Sequence, residues 1–187
     1  EAVASGYPLG AYDTTLTCVA NARGHANAGL PNGLATTGPA NVQVDEDAEI
    51  VCTFTNTLHV AQFNVVKDFS PNSAASVTIG FSCSDGSVTS SDNTASEGDP
   101  ADFTVTGFEG AASGVNCTAT ESATPGYIQN DTACSGVLLS AGTCTIVNTL
   151  RQGQFAVLKN FIPNANASVA VSLTCTGGGT VTVIDGT

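Results

Sequence analysis

The chain has 187 residues, of which only 4 are basic and 16 are acidic, for a formal net charge of −12. A protein that binds nucleic-acid phosphates needs a basic face, so this balance excludes nucleic acid as a partner. Its sequence contains no run of about 18 apolar residues, which excludes a membrane-spanning helix in this segment.

The composition favours an all-β protein from an oxidising compartment. The 20 Gly and 7 Pro residues, with abundant Thr and Val, are typical of short strands joined by turns. The 7 cysteines in a chain with 11% charged residues predict an extracellular or cell-surface location. No Ser–His–Asp or paired-carboxylate signature indicates an enzyme, and we expect no metal or cofactor.

An internal repeat organises the chain. Segment 63–72 recurs at 155–164, Cys83 recurs as Cys175, and segment 52–58 recurs at 144–150, all at one offset (159 − 67 = 92). Residues 121–127 match 1–7 as well, so the first copy carries an insertion, which we place at 19–51 as a surface loop.

The offsets predict tandem modules built of β-strands. Residues 1–58 are the C-terminal half of one module, 59–150 form a complete module, and 151–187 are the N-terminal half of a further one. Half a module cannot close its core. Either the polypeptide extends at both ends, or neighbouring copies complete the halves, which would still lack the equivalent of residues 96–120.

Strand alternation, taken in chain order, directs three polar residues inward. In the strand near residue 52, Cys52, Phe54 and Asn56 share the face opposite three threonines, so we expect this face to be buried. Lys67 shares the phase of Phe63 and Val65, Glu121 shares that of Cys117 and Ala119, and Asn148 shares that of Cys144 and Ile146. Burial of an unpaired charge is costly, so Lys67, Glu121 and Asn148 should meet.

A buried Lys, Glu and Asn can form an amide bond. Desolvation keeps the Lys amine neutral and nucleophilic. A protonated Glu can assist its attack on the Asn carboxamide, with release of ammonia. Two alternatives remain open: a buried Lys–Glu ion pair with Asn as a hydrogen-bond partner, and exposed residues without such contacts.

The order of these motifs resembles the B-type repeat domains of Gram-positive collagen adhesins and the related SpaA-type pilin modules with a prealbumin-like sandwich. The matching pieces are VVKD at Lys67, TATESATPGY at Glu121 and CTIVNT at Asn148. The resemblance implies a Lys67–Asn148 isopeptide bond that Glu121 promotes. It also implies half-sites at Glu1, Asn56 and Lys159, whose partners lie outside the chain.

Repeat logic also pairs the cysteines, as disulfides rather than a zinc site, because the CxxC spacing of zinc ligands is absent. The expected bonds are Cys134–Cys144, the equivalent Cys18–Cys52, and Cys83–Cys117, which leaves Cys175 unpaired in this segment. The isolated His25 and His59 are expected to face solvent.

These features and the resemblance predict a structural protein made of tandem immunoglobulin-like or prealbumin-like β-sandwich modules. It would be the subunit of a stalk, fimbria or filament, whose partners are neighbouring repeats or copies of itself. The alternative is an adhesin that binds a host or surface ligand through the 19–51 loop or an acidic edge. Exposed aromatic residues typical of a ligand site are scarce, which disfavours the adhesin.

Overall fold

The computed structural model describes residues 6–20, 29–176 and 180–183, and its regular elements are β-strands and short 3-10 turns. The expected all-β class is confirmed. The strands are β1 (Tyr12–Ala20), β2 (Leu34–Ala35), β3 (Ile50–Leu58), β4 (Val60–Ser70), β5 (Val77–Cys83), β6 (Ser87–Asp92), β7 (Thr94–Ala95), β8 (Ala101–Thr106), β9 (Asn116–Glu121), β10 (Tyr127–Asn130), β11 (Val137–Leu138) and β12 (Thr143–Leu150). The 3-10 turns are Leu9–Ala11, Ala112–Gly114, Thr132–Cys134 and Leu139–Ala141. Within the described ranges, no helix is long and apolar enough to cross a bilayer.

Strands β4–β12 form a two-layer sandwich. One sheet has the order β10-β12-β4-β8-β6 and the other the order β11-β9-β5-β7. Alternate residues of both sheets point into a shared apolar core, as the strand period requires. Phe63 of β4 is fully buried there, and its ring stacks on Phe81, which in turn stacks on Phe103.

The first and last strands of the sandwich are neighbours. β4 pairs with β12 in parallel, with Ile146 opposite Lys67 and Asn148 opposite Phe69. The chain between these two strands supplies every other strand of both sheets. Lys67 and Asn148 therefore lie on adjacent strands although they are 81 positions apart in sequence (148 − 67 = 81).

Strands β1–β3 form a separate three-stranded sheet, in the order β2-β1-β3. The face predicted to be buried is partly open: Cys52 is exposed and Phe54 is 48% exposed, although Leu16 opposite Phe54 is buried. The prediction was wrong for Cys52 and Phe54 because no second sheet covers this face among the described residues.

The strand register also revises one repeat match. Tyr12 pairs with Leu58 as Tyr127 pairs with Leu150, so Tyr12, and not Tyr7, occupies the position of Tyr127. The match between 1–7 and 121–127 placed Tyr7 there because it relied on sequence letters rather than on pairing.

The C-terminal repeat copy contains no strand in its described part, 151–176 and 180–183. The repeat of the β4 sequence predicts a strand at 155–164, and this prediction was wrong. Phe155 is 73% exposed and Leu158 is 94% exposed. A β-strand needs a partner to satisfy its backbone groups, and no strand of the described residues pairs with segment 155–164.

The three disulfides join the pairs that the repeat predicts. They are Cys18–Cys52, Cys83–Cys117 and Cys134–Cys144. The first two join residues that lie directly opposite each other on paired strands. Cys175 is free and exposed.

The expectation that both histidines face solvent was wrong for His59. Its side chain is only 13% exposed, because it lies between the three-stranded sheet and the sandwich. His25 lies outside the described residues.

Candidate isopeptide site

Lys67 projects from β4 into the sandwich core. Alternation along the strand places it on the same side as Phe63 and Val65, and the residue is 1% exposed. Its Nζ donates hydrogen bonds to the backbone oxygen of Ile146 at 3.0 Å and to that of Asp68 at 3.1 Å. The amine is therefore directed along the neighbouring strand β12.

Glu121 and Asn148 approach the same point from two other strands. Glu121, the last residue of β9, belongs to the opposite sheet, and its side chain is 1% exposed. Asn148, on β12, is fully buried, and its Nδ2 donates to Glu121 Oε1 at 2.6 Å. Glu121 Oε2 lies 3.5 Å from Lys67 Nζ. One carboxyl group thus contacts both the amine and the carboxamide.

Burial governs the protonation of Lys67. Desolvation lowers the pKa of its amine below the ordinary value of 10.5, and the nearby Glu121 carboxylate opposes this shift. A buried Lys–Glu pair can hold one shared proton in either of two neutral arrangements: an ion pair, or a neutral amine beside a carboxylic acid. The second arrangement supplies a nucleophile.

Two buried oxygens of the site accept no hydrogen bond, Glu121 Oε2 and Asn148 Oδ1. Buried polar atoms without a partner are uncommon and need an explanation. In the observed orientation the amide nitrogen donates to Glu121, which fits an ionised carboxyl group. A protonated Glu121 would donate to Asn148 Oδ1 after a half-turn of the amide, which would polarise the carbonyl group.

An aromatic residue that sequence reasoning did not select completes the site. The Phe69 ring centroid lies 4.3 Å from Lys67 Nζ, and Tyr127 packs edge-on against Phe69 at 5.2 Å. The available signal was the recurrence of Lys-x-Phe in the last copy, where Lys159 Nζ lies 4.9 Å from the Phe161 ring. Lys and Phe two positions apart share one face of a strand.

The predicted half-sites have different surroundings. Asn56 is half-buried, and its Oδ1 accepts a hydrogen bond from Thr14 at 2.7 Å. Lys159 is exposed. Glu1 lies outside the described residues. The structure thus brings together Lys67, Glu121 and Asn148, whereas Lys159 is exposed.

No cluster of three or more His, Cys, Asp or Glu side chains that could hold a metal ion occurs in the part of the chain that the structure describes. The site is thus an amine, a carboxyl group and a carboxamide in an apolar interior. These groups can form either a hydrogen-bonded network or an amide bond.

Comparison with known proteins finds a similarity for the N-terminal segment. Residues 1–58 match the family model of a SpaA-type prealbumin-like fold domain. The resemblance is confirmed for this segment. The comparisons with curated proteins and with solved structures find no match. Because 52–58 recurs at 144–150, the repeat relates the prealbumin-like segment to the last strand of the sandwich and to Asn148.

Proposed function

We propose that the chain is part of an extracellular structural protein of the pilin type, a stalk, fimbria or filament subunit, and not an enzyme. Its modules carry mechanical load, and a Lys67–Asn148 isopeptide bond formed with the help of Glu121 locks the complete one. The single observation that carries this proposal is the buried contact of Glu121 with both Lys67 Nζ and Asn148 Nδ2.

The reaction balances without a cofactor. The neutral Nζ of Lys67 attacks Cγ of Asn148, the new C–N bond forms, the Cγ–Nδ2 bond breaks, and ammonia leaves. Glu121 Oε2 faces the amine and Oε1 faces the leaving nitrogen, so the carboxyl group can accept a proton from one and return a proton to the other. The fold holds the reactants together permanently, which supplies the proximity that the step requires.

The position of the bond suits a load-bearing role. Lys67 lies on the first strand of the sandwich and Asn148 on the last, and the two strands are adjacent. A covalent bond between them carries tension from residue 67 directly to residue 148. The strands of residues 68–147 then lie outside the path of the force.

The disulfides support an extracellular location. Disulfides persist in oxidising compartments and are rare in the cytosol. Two of the three lie within the sandwich, Cys83–Cys117 and Cys134–Cys144. They restrain segments that the isopeptide bond would shelter from tension.

We also propose that the modules are tandem copies, with 1–58 the end of one and 151–187 the beginning of another. β3 corresponds to β12 at the offset of 92, and among the described residues its second edge has no neighbouring strand. Suppose that a strand like 155–164 paired with this edge in the register of β12 with β4. A lysine equivalent to Lys159 would then lie opposite Phe54, and a phenylalanine equivalent to Phe161 would lie opposite Asn56. Asn56 would then meet a lysine as Asn148 meets Lys67.

Intact-mass measurement of the oxidised full chain tests the isopeptide bond. We expect the mass to be lower by one ammonia than the sequence with three disulfides requires, and trypsin to leave the bond after Lys67 uncut in the denatured, reduced chain. The variant Lys67→Met fills the same volume without an amine and should retain the ammonia. Glu121→Gln should slow bond formation by about 10²–10⁴-fold, the usual contribution of a general acid–base group.

The matched control is Lys159→Met, which alters the lysine at the same repeat position in exposed surroundings. It should lose ammonia as the wild type does. A wild-type chain with the full mass and with trypsin cleavage after Lys67 would reduce the site to a buried hydrogen-bonded ion pair and contradict the proposal.

A further inference from the structure

A single residue, His59, connects β3 of the three-stranded sheet to β4 of the sandwich. Its backbone N–H donates to Ala11 O at 2.8 Å, and its carbonyl oxygen accepts from Gly107 N–H at 2.9 Å. Gly110 N–H adds a further bond, to Gly10 O at 3.0 Å. We call the contact between segment 7–13 and loop 107–110, with His59 between them, the junction.

The ring of His59 also links the two sides of the junction. Nδ1 lies 2.9 Å from Phe108 O on the sandwich side, and Nε2 lies 3.2 Å from Asp13 Oδ1 on β1. A carbonyl oxygen and a carboxylate oxygen are both acceptors. A neutral imidazole has one N–H and can satisfy only one of them, whereas the imidazolium ion has two and satisfies both.

Asp13 is the acidic side chain in contact with this ring, and two further acidic residues lie in or beside the loop that carries Phe108. Asp13 faces the ring from β1, and Glu109 follows Phe108 in the loop of the sandwich. The Glu109 N–H donates to Asp85 Oδ2 at 2.6 Å, and the Glu109 side chain lies against Gly10. The Phe108 carbonyl, followed by Asp13, raises the pKa of His59 above its ordinary value of 6.5, while burial acts in the opposite direction.

Loop 107–110 is shaped to fit segment 7–13. Gly107 has φ +75°, and a Cβ at this position would collide with the ring of Tyr7. Only glycine combines this left-handed backbone with so close an aromatic neighbour. The two segments therefore fit closely at the junction, and among the described residues the ring of His59 is the titratable group that bonds both sides.

We propose that protonation of His59 stabilises the junction, the contact that holds the three-stranded sheet against the sandwich. Below the pKa of His59 the imidazolium bonds both Phe108 O and Asp13. Above this pKa the neutral ring keeps only one of these two hydrogen bonds, and its unprotonated nitrogen faces the other acceptor. The three-stranded sheet is then held less firmly against the sandwich.

The direction of the pH effect follows from the linkage between protonation and folding. A group whose pKa is higher in the folded protein stabilises the fold fully below its unfolded value, near 6.5 for His, and loses that contribution as the pH rises through the folded value. The junction is therefore more stable at pH 6 than at pH 8. Asp13 is 83% exposed at its side chain, so added salt should weaken its share of the effect.

A pH titration by NMR of the full chain tests this proposal, because the chain has only two histidines. His25 serves as the internal reference, and we expect His59 to titrate above 6.5. Between pH 6 and pH 8, the protection factors of the Gly107 and Gly110 amides, corrected for intrinsic exchange, should fall about two- to tenfold, as expected when one hydrogen bond of ordinary net strength is lost. Amides of the central strand β8 should not change.

Two variants separate this role from general stability. His59→Gln keeps a polar side chain that cannot become charged, so protection should be low and the same at both pH values. His25→Gln should behave as the wild type. A His59 that titrates at or below 6.5, equal wild-type protection at pH 6 and pH 8, or a pH response retained in His59→Gln would overturn the proposal, whatever the outcome for Lys67 and Asn148.

Discussion

Lys67 and Lys159 show how far surroundings determine the chemistry of a residue. Both occupy the same repeat position, and both lie near a Phe two residues later. Lys67 is buried beside Glu121, whereas Lys159 is exposed. Desolvation lowers the pKa of Lys67. A nucleophilic amine therefore requires the assembled sandwich and not only the local motif.

The same contrast applies to the apolar core. Phe63 is fully buried, and its repeat equivalent Phe155 is 73% exposed. Phe63→Ala should destabilise the sandwich by about 3–5 kcal/mol, because it leaves a cavity among stacked rings. Phe155→Ala should change stability by no more than about 0.5 kcal/mol. Urea unfolding of both variants checks this, and equal losses of stability would contradict the assignment of the core.

Alternation alone predicted the convergence of Lys67, Glu121 and Asn148. Threonines occupy the outer face of β9 and β12, so the alternation predicted that Glu121 and Asn148 point inward. In the structure both side chains are buried. His59 could not be found in this way, because it lies in the one-residue connection between β3 and β4, outside the alternation of either strand. Its position between two strand motifs was the only available signal.

At the scale of the element, the strand copies show that sequence preference is insufficient for a strand. Segment 155–164 repeats the sequence of β4 closely but forms no strand, because β12 and β8, the neighbours of β4, have no equivalents beside it among the described residues. Strand formation depends on pairing and burial more than on intrinsic propensity. The other pair of copies, 52–58 and 144–150, does form strands, β3 and β12, because both are paired with neighbouring strands.

A fused copy tests the half-module interpretation. If residues 59–120 are duplicated in front of Glu1, the added strand equivalent to β4 should pair with the free edge of β3 and cover Phe54. Glu1 then follows Thr120 as Glu121 does, with five more residues between Glu1 and Tyr12 than between Glu121 and Tyr127. Intact mass should show the loss of two ammonia molecules, and Asn56→Ala in the fused chain should reduce this to one. A fused chain that loses only one ammonia would show that β3 is not the end of an isopeptide module.

At the scale of the whole molecule, the proposed isopeptide bond between the first and last strands should set the response to force. Under reducing conditions, pulling the wild-type chain from both ends should not extend residues 68–147. In Lys67→Met, the same segment of 80 residues should lengthen by about 260–290 Å at full extension. Single-molecule force spectroscopy measures this step. An extension of that size in the wild type would show that the load passes through the sandwich.

The parallel pairing of β4 with β12 also determines how a tandem protein would grow. Because the two strands run in the same direction, the chain enters the sandwich at one pole, beside Val60, and departs at the opposite pole, beside Leu150. An antiparallel last strand would have returned the chain to its point of entry and doubled the array back on itself. Each added unit would instead advance the array by about one strand length, roughly 35 Å for an 11-residue strand, so the gene could adjust reach by the number of copies alone.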